Sequence, residues 1–139
     1  MSQYQIIDEP KVKPQQHLIV NPIIILLVGI LMPLVWTPPF YGRVWIPLVW
    51  IVINGYLLGS PTFKSEVIIA ILGGIFWFAL PYSMVFILMT IGQHELVNVA
   101  VPYLRIANNG IFFLTLYLIV FRQSIPYELF CYFKDKGQR

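Results

Sequence analysis

Residues 66–91 read EVIIAILGGIFWFALPYSMVFILMTI, and this stretch decides the fold. No charged residue follows Glu66 within it. At about 1.5 Å of rise per residue, a helix of this length crosses the roughly 30 Å hydrocarbon core of a bilayer with some tilt. Because lipid offers the backbone no hydrogen-bond partners, a single stretch that crosses it must be helical. The stretch therefore predicts an integral membrane protein.

The composition of the whole chain supports this prediction. Of the 139 residues, 58% are hydrophobic and only 11% are charged, against roughly 45–50% and about 25% in soluble domains. The mean hydropathy is +0.76. These values exclude an ordinary soluble globular domain, and the short chain limits the protein to one small membrane domain.

Three further apolar blocks surround residues 66–91, namely residues 18–36, 44–59 and about 99–121. In the first block, Asn21 and Pro22 suit the N-cap and the first position of a helix. A helix from Pro22 would reach only about 22 Å, and the second block is equally short. These two blocks predict a hairpin that either spans a thinned bilayer or re-enters on the same side.

The predicted fold is an all-α integral membrane protein with four hydrophobic helices and a short C-terminal interfacial helix. Residues 1–17 would form a polar tail, residues 18–121 the transmembrane domain, and residues 122–139 an amphipathic tail. Pro126 suits the first turn of the C-terminal helix, and its aromatic face would lie in the membrane interface.

Lys and Arg residues predict that both termini are cytoplasmic. Only two of these cations fall on the other side, Arg43 and Arg105. The remaining seven fall on the cytoplasmic side in this orientation: Lys11, Lys13, Lys64, Arg122, Lys134, Lys136 and Arg139. Because cytoplasmic segments carry an excess of such residues, we expect this orientation, in a bacterial inner membrane.

The fourth block contains a polar patch formed by Arg105, Asn108 and Asn109. The asparagines follow Arg105 by three and four residues, so all three share one helical face. Arg105 either extends to the headgroups, pairs with Glu95 or a partner subunit, or binds an anion. The two amides indicate packing within the bundle or contact with a partner subunit.

Small residues recur at four-residue spacing in two blocks. Gly55 and Gly59 form one pair, and Ala70 and Gly74 form the other. Such pairs let helix backbones approach closely. Because a tight turn at residues 60–64 joins the two blocks, we expect the pairs to meet each other; homodimerisation through Gly55 and Gly59 is the alternative.

The residues that could carry chemistry are few. Glu66 and Glu95 lie at the ends of apolar blocks, which argues against a proton-driven exporter. Cys131 is the only cysteine. No pattern indicates a nucleophile with its base, a metal cluster or a cofactor site, and no basic stripe indicates nucleic-acid binding. We therefore expect no enzyme and no cofactor.

The sequence favours a non-catalytic accessory or assembly subunit of a larger bacterial inner-membrane complex. Its partners would be the lipid bilayer and either other membrane subunits or further copies of itself. Two alternatives stay open. One is a small homo-oligomeric transporter or channel with Arg105, Asn108 and Asn109 along an anion path. The other is an immunity protein that binds a membrane-inserted toxin.

Overall fold

The computed structural model describes residues 16–35 and 42–137, and every regular element in these ranges is helical. A short 3-10 turn covers Gln16–Leu18. The four α-helices are α1 (Pro22–Val35), α2 (Gly42–Leu58), α3 (Phe63–Thr90) and α4 (His94–Gly137). The predicted all-helical class is confirmed. Most of the predicted N-terminal tail and of the turn after the first block lies outside the described residues.

Helix α1 begins where the sequence predicts. The side-chain oxygen Oδ1 of Asn21 accepts a hydrogen bond of 3.0 Å from the backbone N–H of Ile23. Pro22 occupies the first helical position, where its missing N–H costs nothing. Asn21 is therefore the N-cap of α1.

Glycines in left-handed conformation end α2 and α3. Gly59 has φ 69° and Gly92 has φ 75°. After α2, the N–H of Ser60 donates to the carbonyl of Gly55 at 3.1 Å. After α3, the N–H of Gln93 donates to the carbonyl of Leu88 at 2.9 Å. These bonds satisfy carbonyls at the helix ends and reverse the chain within a few residues.

The fourth helix is longer than the sequence predicts. It has 44 residues and runs without interruption through Pro102 and Pro126. The prediction of a separate C-terminal helix is therefore wrong. Gln123, Pro126 and Phe130 lie on one face of α4 and are all buried. This continuous buried face carries the helix past the predicted boundary after residue 121, although Pro126 removes one backbone donor.

The core lies between the α1–α2 hairpin and the middle of α4. Its buried side chains come from all four helices: Ile25, Val44, Leu48, Ile51, Ala70, Phe112, Leu116, Ile119 and Val120. Gly29 allows α1 to approach closely, because a Cβ there would lie 2.8 Å from Leu116 Cδ1 and 3.3 Å from Pro47 Cβ.

The two helical hairpins differ in length. Helices α1 and α2, of 14 and 17 residues, are about 21 and 26 Å long, whereas the 28 residues of α3 extend about 42 Å. Helices α3 and α4 are long and apolar enough to cross a membrane. Only 11% of the most apolar window of α3 is buried, so this helix presents most of its apolar side chains at the surface.

Candidate functional site

Three polar side chains from three helices meet inside the bundle. Asn54 of α2, Glu66 of α3 and Gln123 of α4 are 1%, 0% and 0% exposed. Each lies near the end of its apolar block, and the antiparallel connections bring these ends together. Ser60 and Thr62, from the turn between α2 and α3, complete the group, which we call the buried polar network.

Gln123 joins the other helices through its side-chain amide. Its Nε2 donates to Glu66 Oε2 at 2.8 Å and to the carbonyl of Ile51 at 2.9 Å. Its Oε1 accepts from Asn54 Nδ2 at 3.2 Å. Asn54 Oδ1 in turn accepts from the backbone N–H of Val20 at 2.9 Å. The segment just before α1, the C-terminal half of α2, and α4 are thereby linked to Glu66 on α3.

The carboxylate of Glu66 accepts hydrogen bonds from three side chains of the network. Its Oε1 accepts hydrogen bonds from the hydroxyls of Ser60 and of Thr62, the latter at 2.7 Å. Within residues 16–35 and 42–137 it makes no ion pair; the nearby cation Arg122 donates instead to the hydroxyl of Ser65. Because a buried carboxylate is tolerated when hydrogen bonds satisfy it, the three donors account for its position.

The sequence analysis places Glu66 at the end of an apolar block, and the residue does lie in the first turn of α3. The sequence did not predict that its side chain is completely buried. Asn54 and Gln123 were missed altogether. Two features of the sequence could have identified them. Each is a polar residue that interrupts or directly follows an apolar block. The up-and-down order of the helices also places residues 54, 66 and 123 at the same end of the bundle.

The small residues singled out by the sequence pack against larger side chains. A Cβ on Gly55 would collide with the side chains of Glu66 and Gln123, so Gly55 makes room for the buried polar network. A Cβ on Gly74 would lie 3.4 Å from Cη2 of the Trp45 ring, and Ala70 lies in the core. Gly59 is exposed and ends α2. The Gly55 and Gly59 pair therefore does not face Gly74, because the antiparallel register sets Gly74 beside the first turns of α2.

The closest approach of α3 to α4 occurs at a different glycine. A Cβ on Gly73 would collide with Oγ1 and Cγ2 of Thr115 and would lie 2.8 Å from its Cβ. Thr115 is buried and its hydroxyl donates to the carbonyl of Ile111 at 2.7 Å. The sequence analysis selected the neighbouring Gly74 instead of Gly73.

The polar patch of α4 lies beyond the core. Arg105 and Asn109 are exposed, and Arg105 makes no ion pair with Glu95 or with any other described residue. Asn108 is half-buried, and its Oδ1 is buried without a hydrogen-bond partner. Asn108 also lines a cleft of about 300 Å³, here called the Asn108 cleft. Its other lining residues are Trp77, Phe78, Pro81, Tyr82 and Val85.

A second surface feature is an apolar groove between α3 and α4, here called the outer groove. It consists of two successive depressions of about 500 and 340 Å³. The first is lined by Leu80, Ser83, Met84, Ile87, Ala100, Tyr103, Leu104 and Ala107. The second is lined by Ile69, Leu72, Gly73, Phe76, Ile111, Leu114, Thr115 and Leu118. All of these residues belong to α3 and α4, so α1 and α2 leave the groove open.

Metal ligands do not cluster in the described ranges: no three His, Cys, Asp or Glu side chains lie together there. Comparison of the chain with protein-family models, with characterised proteins and with solved structures finds no match. The geometry thus provides a closed polar network that joins α2, α3 and α4, and two open surfaces that could receive another molecule.

Proposed function

We propose that this chain is a non-catalytic accessory or assembly subunit of a larger membrane complex, and that the outer groove receives a transmembrane helix of a partner protein. The shape of the outer groove carries this proposal. On α3 the groove extends from Ile69 to Ile87, which is about 27 Å along the helix. That length approaches the thickness of the hydrocarbon core.

Small side chains in the outer groove favour a helix as the bound element. Gly73, Ala100 and Ala107 lie among its lining residues, with large apolar side chains on either side. Since lipid tails are as apolar as a leucine side chain, helices associate in membranes through close packing at small residues. A partner helix would gain contacts in this groove that mobile lipid chains make less well.

The buried polar network favours this proposal over a transporter. Asn54, Glu66 and Gln123 use their side chains to bind one another and neighbouring backbone groups. A substrate path needs polar groups that face an opening. Because these groups face one another at the end of the bundle, their role in our proposal is to fix α3 and α4, which form the groove, against α2.

We place the end with the buried polar network on the cytoplasmic side of a bacterial inner membrane. Lys64, Arg122, Lys134 and Lys136 lie at or beyond this end, whereas Arg105 lies towards the opposite one. This distribution has the sign that cytoplasmic segments show. The chain also carries no N-glycosylation sequon.

Purification in a mild detergent tests the proposal. We would purify the tagged wild-type chain, Ala107→Phe and Ile106→Phe from their native membrane and identify the co-purifying proteins. Ala107 lines the outer groove, whereas Ile106 is 70% exposed and does not line it. We expect Ala107→Phe to reduce the yield of a stoichiometric partner at least about tenfold, which corresponds to roughly 1.4 kcal/mol of binding free energy.

Ile106→Phe is the matched control, because it adds a ring in the same turn of α4, about 100° around the helix from Ala107 and outside the groove. It should retain the partner at the wild-type yield. Recovery of only this chain from all three samples, together with solute flux in reconstituted vesicles, would contradict the proposal and support the homo-oligomeric transporter.

A further inference from the structure

One end of the outer groove is marked by Arg122, which joins its two walls. On α3, Ser65 lies four residues before the lining residue Ile69. On α4, Arg122 lies four residues after the lining residue Leu118. Residues four apart share one face of a helix, and the Arg122 guanidinium donates a hydrogen bond to the Ser65 hydroxyl. This bond therefore crosses from one wall to the other, one helical turn beyond the lining residues.

Arg122 brings a positive charge to the end of an apolar surface. None of the residues that line the outer groove is charged. Arg122 is exposed, and within residues 16–35 and 42–137 its hydrogen bond goes to the neutral hydroxyl of Ser65. The neighbouring carboxylate of Glu66 accepts its hydrogen bonds inside the bundle instead. A molecule that leaves the groove at this end therefore meets a guanidinium, whose donors match a carboxylate.

The apolar surface of α4 continues beyond the groove. The lining residues of α4 include two series that recur every seven positions, namely Ala100, Ala107, Leu114 and Leu104, Ile111, Leu118. Phe121 and Ile125 are the next members of these two series, and they are 68% and 67% exposed. Leu129 and Tyr132 are also exposed and extend the surface by two further turns. We call these last four residues the extension stripe.

The extension stripe faces away from the bundle. Helix α3 begins close to Arg122, whereas α4 continues to Gly137, about 22 Å further. The opposite side of α4 is buried at Gln123, Pro126 and Phe130. A seven-residue repeat of apolar side chains keeps one face of a helix turned towards a neighbouring helix. The stripe therefore suits a helix that runs along α4 rather than across it.

We propose that the partner helix held by the outer groove extends past the start of α3, packs on the extension stripe and pairs a carboxylate with Arg122. This inference rests on the proposed function and specifies its partner. The partner helix carries an Asp or Glu where it leaves the groove, followed by apolar residues with a seven-residue repeat. Because the groove itself presents no charge, the ion pair also fixes the position of the partner helix along it.

Removal of single charges tests the ion pair. The tagged wild-type chain, Arg122→Gln and Lys134→Gln would be purified in a mild detergent at low and at high salt, and the yield of partner protein per chain measured. We expect Arg122→Gln to lower this yield about fivefold at low salt. The wild-type yield should fall towards that of Arg122→Gln at high salt, because salt screens an exposed pair.

Lys134→Gln is the matched control for the lost charge. Lys134 is an exposed cation nine residues after Ile125, which is two and a half helical turns and thus the side of α4 away from the extension stripe. Its replacement should leave the partner at the wild-type yield at both salt concentrations.

Ser65→Ala separates the charge of Arg122 from its bond to α3. This variant removes the hydrogen-bond acceptor but keeps the guanidinium, so the partner should be recovered at the wild-type yield. A loss equal to that of Arg122→Gln would show that the yield depends on the bond between α3 and α4, and would overturn the inference. A thermal melt of each variant shows whether it is folded.

Photocrosslinking in intact membranes tests the continuation along α4. A benzophenone side chain would replace Leu114 in the outer groove, Ile125 in the extension stripe, or Lys134 as the control. We expect adducts with the same partner protein from positions 114 and 125, and none from position 134.

Partner adducts from position 114 without any from position 125 would overturn the inference and leave the accessory-subunit proposal intact. The same holds for a wild-type yield of partner with Arg122→Gln at low salt. Adducts of position 125 with this chain itself would assign the extension stripe to self-association and overturn the inference. If neither position 114 nor position 125 gives a partner adduct, the accessory-subunit proposal fails together with the inference.

Discussion

Glu66 is the residue on which most of the polar interactions converge. Its two carboxylate oxygens accept from Ser60, Thr62 and Gln123. Gln123 extends the connection to Asn54 on α2, and Asn54 binds the backbone of Val20, just before α1. Each donor would lose one bond if Glu66 were absent, and a buried donor left without any acceptor costs about 1–3 kcal/mol. The network therefore stabilises the arrangement of α2, α3 and α4.

We predict that Glu66→Leu lowers the free energy of unfolding by about 1–3 kcal/mol. The expected loss of stability is close to the cost of one unpaired buried group. Ser60 and Thr62 can still form a hydrogen bond with each other, at 3.1 Å, and Gln123 still donates to the carbonyl of Ile51. Thermal aggregation of the purified chain in detergent measures the effect. Glu128→Leu is the control, since Glu128 is an exposed carboxylate on α4.

Glu66→Gln should fall between wild type and Glu66→Leu. The amide keeps one acceptor oxygen, and the hydroxyls of Ser60 and Thr62 can rotate to accept from its NH2 group. If Glu66→Leu melts at the wild-type temperature, the buried polar network contributes no net stability. The free energy gained by no longer burying a carboxylate then equals the free energy lost with its hydrogen bonds.

The sequence did not predict that the side chains of the network point into the bundle. The sequence places Asn54, Glu66 and Gln123 at the edges of their apolar blocks, where a side chain can point either to solvent or into the bundle. Hydropathy along one helix does not distinguish these directions. The choice depends on the rotation of each helix about its axis, which is set by contacts with the other three helices.

At the scale of the elements, the start of α1 was predictable from the sequence, whereas the end of α4 was not. Asn21 and Pro22 fix the start of α1 by local chemistry, and the structure has them in those roles. Pro126, by contrast, suggested a new helix but lies inside α4. A proline tolerates either arrangement, and the buried face formed by Gln123 and Phe130 decides in favour of continuation.

The crossing of α3 and α4 depends on Gly73. We predict that Gly73→Ala lowers the free energy of unfolding by about 1–3 kcal/mol, as overpacking of a tight contact does. Thr115 cannot relieve the collision by rotating its side chain, because its Cβ itself would lie 2.8 Å from the new Cβ. Chemical or thermal unfolding in detergent measures the loss.

Gly110→Ala is the matched control for this crossing. Gly110 is also a glycine within an α-helix of the same hairpin, but a Cβ there would meet nothing within 4 Å. Alanine is favoured over glycine by about 1 kcal/mol in a helix interior, so Gly110→Ala should preserve or raise stability. A loss equal to that of Gly73→Ala would show that α3 and α4 do not approach at Gly73.

The whole molecule consists of a short hairpin packed against part of a long one. The sequence predicts this difference in length, because the first two apolar blocks are shorter than the third. It does not predict the outer groove, whose two walls come from different helices and include residues as distant in sequence as Gly73 and Thr115. Their alignment depends on how α3 and α4 pack, which the hydropathy pattern leaves open.

The most direct test of the accessory-subunit proposal is site-specific photocrosslinking in intact membranes. A benzophenone side chain would replace Leu72 or Leu114 in the outer groove, or Ile53 on the exposed face of α2 as a control. The proposal predicts one discrete adduct with a different protein from both groove positions and none from position 53. Lipid adducts alone, or adducts between two copies of this chain, from the groove positions would contradict it.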